Sequence, residues 1–134
     1  MGMTPQAMIQ LLSSAKEDDE RLEEIGDSVA ELADDEKKVD VGVIEALFKI
    51  YERLHDPTQA LFNALESCAM GPQEKTVRRL ARESALRQPN HCNLQLVGDA
   101  PESIKLLKEL ENRPGLDSEL RTIIKDMIQE AQES

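Results

Sequence analysis

The chain has 134 residues, a net charge of −11, no tryptophan, two phenylalanines and one tyrosine. That length is one domain, able to bury roughly two thirds of its unfolded surface, and a composition rich in Leu, Ala, Glu and Lys favours helices packed through aliphatic ridges. No segment has the ~20 apolar residues that span a bilayer, and no charged stretch and apolar run open the chain, so a membrane setting is excluded and the cytosol expected.

Met1-Gly2 does not form a myristoylation signal, because Gln6 stands where Ser or Thr is required. Thr4-Pro5 supplies an N-cap and a first-turn proline ahead of Met8, Ile9 and Leu12, which predicts a short first helix. Ser14 and Glu17 have capping-box spacing and predict that a second helix begins there. Its apolar stripe, Leu22, Ile25, Val29 and Leu32, is narrow, as suits the edge of a bundle or the first helix of a stack. Residues 17–36 hold eleven acids against one base, Arg21, while the rest of the chain is almost neutral. Glu20–Glu24 and Glu23–Asp27 are like-charge pairs one turn apart, each costing a few tenths of a kcal/mol. Two readings stay open: a surface kept acidic to meet a partner, or a solvated face that aids solubility. With no basic surface to displace counterions, direct nucleic-acid binding is excluded.

Residues 40–72 hold all three aromatics and the densest apolar periodicity. Val43, Ile44, Leu47, Phe48, Tyr51 and Leu54, then Leu61, Phe62, Leu65, Cys68 and Ala69, recur at helical spacing and predict an αα-hairpin. Asp56, Pro57 and Gln59 read as N-cap, first-turn proline and capping box, and Gly71-Pro72 as the stop. From Pro72 to Leu86, Val77, Leu80, Ala81, Ser84 and Ala85 should face inward, with Arg78, Arg79, Arg82 and Arg87 outward. After Gln88-Pro89, Asn90 should cap a short segment that ends at Gly98, with Leu94 and Val97 inward. Asp99 and Glu102 bracket Pro101 and open a helix carrying Ile104, Leu107 and Leu110, until Arg113-Pro114-Gly115 breaks it. Asp117 should cap the last helix, whose stripe is Leu120, Ile123, Ile124, Met127, Ile128 and Ala131. The sum is one all-α domain, 1–134, of about seven or eight helices. N-terminal helices cover 1–36 and antiparallel pairs cover 40–133, stacked as a short α-solenoid or closed as a compact bundle.

Chemistry is sparse. His91-Cys92-Asn93 has the residue types of a cysteine-protease site, but contiguous residues cannot place a nucleophile against its base. His55, Cys68, His91 and Cys92 lack zinc-ligand spacing, and no Glu-x-x-His pair supports a di-iron bundle. No glycine-rich phosphate loop or nucleophile elbow occurs. The expectation is a non-enzyme without metal or cofactor, its two cysteines reduced. Glu45 and Glu66 border apolar stripes and reach toward solvent or a partner.

The stretch VIEALFKIYERLHDPTQALFNALES, with RLARESALRQPNHCNLQLV and the leucine-rich helices after it, resembles the HEAT-like immunity proteins of bacterial polymorphic-toxin and contact-dependent growth inhibition systems. The shared features are a Phe/Leu-rich helix ending at an Asp-containing turn, the run Ala64-Leu65-Glu66-Ser67, and a proline-bounded pair from Arg87-Gln88-Pro89 onward. The resemblance spans about residues 40–130 and implies a small cytosolic HEAT-like protein that blocks one cognate toxin domain, basic and of nuclease type, by covering its active site. Scarce aromatics and a high charged fraction argue against a large homodimer surface, so a monomer in a 1:1 complex is expected. Asp18, Asp19, Glu23, Glu24, Asp27, Asp34 and Asp35 are then the expected electrostatic contacts, joined by Asp56 and Glu66. The alternative is a non-enzymatic helical adaptor or assembly subunit that binds a peptide or protein partner.

Overall fold

A computed structural model describes residues 3–91 and 93–133, so the Met1-Gly2 dipeptide and the cysteine of the His91–Asn93 triplet lie outside the described residues. Helix α1, Pro5–Ser14, starts as its sequence predicts: Thr4 Oγ1 accepts from the Ala7 N–H at 3.2 Å and Pro5 occupies the first turn. Six more α-helices follow among the described residues: α2 Arg21–Asp34, α3 Val41–Arg53, α4 Gln59–Ala69, α5 Glu74–Arg87, α6 Pro101–Glu111 and α7 Ser118–Glu133. A 3₁₀ turn, Leu94–Leu96, separates α5 from α6, and no strand occurs among the described residues. The fold is all-helical, with helix pairs packed against each other.

The packing order is set by side chains that reach across the short connections. Arg53, at the end of α3, donates to the Leu12 and Ala15 carbonyls at 2.7 and 2.8 Å, satisfying orphan acceptors at the end of α1. Gly42, at the start of α3, lies against Ile9. Helices α1 and α3 therefore run side by side in the same direction. So do α2 and α4, with Gly26 against Ala60 and Gly71 against the Ala33 carbonyl. Helices α1, α3 and α5 form one layer, while α2, α4 and the 3₁₀ turn form a second, with the core between them. Sequential helices alternate between the layers, so α4 packs more extensively on α2 than on its hairpin partner α3. Helices α6 and α7 pair with each other beyond α5.

The connections are pinned in the same manner. Gln73 exchanges both amide hydrogen bonds with the Val39 backbone, each 2.8 Å, tying the α2–α3 link to the α4–α5 link. Glu52 of α3 accepts from Arg87 Nε and Nη2 and from Ser84 Oγ at 2.9–3.0 Å, and this partner is why Ser84 is tolerated almost wholly buried on α5.

Several local expectations are corrected. Ser14 Oγ bonds back to the Gln10 carbonyl instead of capping α2, which begins seven residues later. The carboxylate of Glu17 reaches the His55 and Asp56 N–H groups at 2.6 and 3.1 Å, so it closes the α3–α4 loop and not a capping box. The N-terminal neighbour of α4 is Thr58, not Asp56, and that of α6 is Ala100, neither with a side-chain cap. Asn90 bridges the Gly115 carbonyl and the Asp117 N–H rather than capping the 3₁₀ turn. Arg78 and Arg82, expected outward, are half-buried and donate to Leu96 O and Ser103 Oγ. Of the α7 stripe, only Ile124 and Ile128 are buried.

Helix α2 ends without glycine. Lys37 N–H donates to Leu32 O at 2.9 Å and Glu36 N–H to Ala33 O at 3.0 Å, a Schellman closure whose left-handed residue is Glu36, at φ 59°. A non-glycine residue there costs about 1 kcal/mol or more, and Asp34, Asp35 and Glu36 also face the negative end of the helix dipole. Glu36→Gly is expected to raise stability by about 1 kcal/mol, several degrees in Tm, measurable by thermal unfolding.

Candidate functional site

Helix α2 presents two opposed faces. Leu22, Ile25, Gly26, Val29 and Ala33 are buried, and Glu23, Glu24, Asp27, Glu31, Asp34 and Asp35 are exposed along the other side. Among the described residues none of these six acids forms an ion pair. The exposed face is thus a continuous column of unneutralised carboxylates about four turns long, in which each turn repels the next. The glycine at 26 lets this helix sit close on α4, so the acidic column and the polar edge of α4 share one layer.

The lead-in turn is arranged differently. Asp18 is exposed, but the Asp19 carboxylate accepts from Arg21 Nε at 3.0 Å, Arg21 Nη2 at 2.7 Å and the Arg21 N–H at 3.0 Å. Hydrogen bonding from Arg21 holds the Asp19 carboxyl below its usual range. Asp19 therefore opens α2 by binding its first residue and carries the one base of the acidic segment. Its charge is already matched.

Asp56 and Glu66, far away in sequence, join this layer through tertiary contacts. The Glu17 carboxylate holds the Asp56 N–H beside the lead-in turn, leaving the Asp56 side chain exposed. Glu66 is exposed on α4, on a strip with Gln59, Asn63 and Met70. Met70, 87% exposed, is the most exposed large hydrophobic side chain among the described residues and lies where α2 and α4 end together. Asp34 is near enough to α4 that its charge, after burial, helps push the Cys68 thiol up to about 11. Cys68 is therefore an inert, protonated core thiol at neutral pH. Sequence reasoning did not single out Met70; its place at the helix end gave no periodic signal. Glu31, one of the eleven acids of residues 17–36, lies mid-column.

Elsewhere, Tyr51 is half-buried, its hydroxyl pushed up to about 12 by burial first and by Asp56 second. Among the described residues no group of three or more His, Cys, Asp or Glu is placed to hold a metal ion, and no helix is long and apolar enough to cross a membrane. What the acidic layer can do chemically is attract and orient a cationic surface. No protein-family model, curated protein or solved structure matches this chain.

Proposed function

We propose that this chain is an immunity protein that neutralises a basic toxin domain, using the α2 face and the adjoining edge of α4 as its recognition surface. The observation that supports this reading most is the unpaired column from Glu23 to Asp35, kept on a helix whose own stability it lowers. A cleft that handles nucleic acid is cationic, and such a column accelerates encounter with it while repelling the nucleic acid itself. Met70 at the end of the column supplies an apolar anchor of the kind that protein interfaces favour. The interface excludes the toxin's substrate by covering its cleft, which needs no catalytic residue on this chain.

The test is capture from the native host, with the full chain as bait. The expected result is a single basic protein retained 1:1, whose activity is lost on binding. Retention of several unrelated partners, with no activity blocked, would favour the adaptor or assembly subunit instead.

A further inference from the structure

The last helix carries more apolar surface than its neighbour covers. Among the described residues, helix α7 packs against no element but α6, whereas α3, α4 and α5 each pack against three or more. Ile123 is 47% exposed, Leu120 and Met127 are half-buried, and a cavity of ≈ 290 Å³ opens beside Met127, lined by the apolar Ile104 and Leu107 of α6 and by the charged Arg78, Asp99 and Glu130. The free edge has a definite charge: Glu119 and Asp126 are exposed one turn before and after Ile123. That charge selects the occupant. A second copy would set the same carboxylates, and a second net charge of −11, against this edge. An anionic membrane surface would be repelled likewise.

We propose that the Leu120–Ile123–Met127 edge of α7 is a second docking surface, separate from the acidic layer, for a basic amphipathic helix of a protein partner. The partner lays two apolar side chains, one turn apart, over Ile123 and into the cavity beside Met127, with Lys or Arg flanking them to meet Glu119 and Asp126.

The probe is a synthetic Lys/Leu amphipathic helix of about 18 residues, five turns, titrated into the ¹⁵N-labelled full chain alongside a Glu/Leu counterpart. The expected result is amide shifts along α7 with the Lys/Leu peptide. Ile123→Glu should weaken that site by about tenfold, and Glu119→Lys with Asp126→Lys should weaken it without touching the apolar edge. Any shifts along α2 should persist in both variants. Absence of α7 shifts overturns the proposal whatever happens at α2. Equal binding of the Glu/Leu peptide overturns the charge assignment. Self-association of the chain that Ile123→Glu abolishes would give the edge to a second copy instead.

Discussion

Phe48→Ala is expected to lower the unfolding free energy by about 3–5 kcal/mol. Phe48 is 1% exposed and is the largest fully buried side chain among the described residues. It lies on α3, which packs on α1, α4 and α5, so the void opens where most of the stack meets. The only other aromatics, Tyr51 and Phe62, are half-buried on their own faces, and the surrounding aliphatics are already packed. Little is free to collapse into the space, which places the cost toward the upper end of the range. A domain of this size has a stability of about 5–15 kcal/mol, so the variant keeps a small remainder and unfolds at much lower urea. Phe48→Leu, which preserves most of the volume, should cost less than about 1.5 kcal/mol. Urea unfolding followed by far-UV circular dichroism measures both.

Gly26→Val should cost about 2–3 kcal/mol by a different mechanism, overpacking. A Cβ at position 26 would lie 2.6 Å from the Ala60 carbonyl carbon and oxygen and 2.8 Å from its Cβ. Two of these three atoms are backbone, so no rotamer relieves the clash and α2 must move away from α4. Gly26→Ala meets the same obstruction but regains about 1 kcal/mol of helix propensity, so its net cost is smaller. Ala60→Gly restores little, because it removes only the 2.8 Å contact. The same urea titration reads this series, and a variant as stable as the parent would mean that α2 does not sit as close to α4 as described.

The fold was largely legible because its signals are local. Prolines and apolar spacing mark the α-helices within a few residues, except at the start of α2, and the five inward positions read on α5 are the five that are buried. Spacing alone could not tell which capping residues are claimed by distant partners. Glu17 and Asn90 both have sequence neighbours they could cap, yet each bonds a group 25 or more residues away. Helical periodicity likewise reports which face is apolar but not whether anything covers it, so the α7 stripe gave no sign that Ile123 stays exposed. At the candidate site, charge counting found the acidic segment but could not separate Asp19, matched by Arg21, from the unpaired acids of α2. Nor could it bring Asp56 and Glu66 to the same layer, since that follows from α2 and α4 running side by side.

The acidic face of α2 as a recognition surface is tested most directly by association kinetics with the captured partner. Wild type is compared with Glu23→Lys plus Glu24→Lys over a range of salt. Both residues are exposed and unpaired, so the fold should persist, as circular dichroism would confirm. The predicted result is severalfold slower association at low ionic strength, with the difference shrinking as salt screens the field. An association rate unchanged by the double reversal at low salt would contradict the account and leave the column a solvated face.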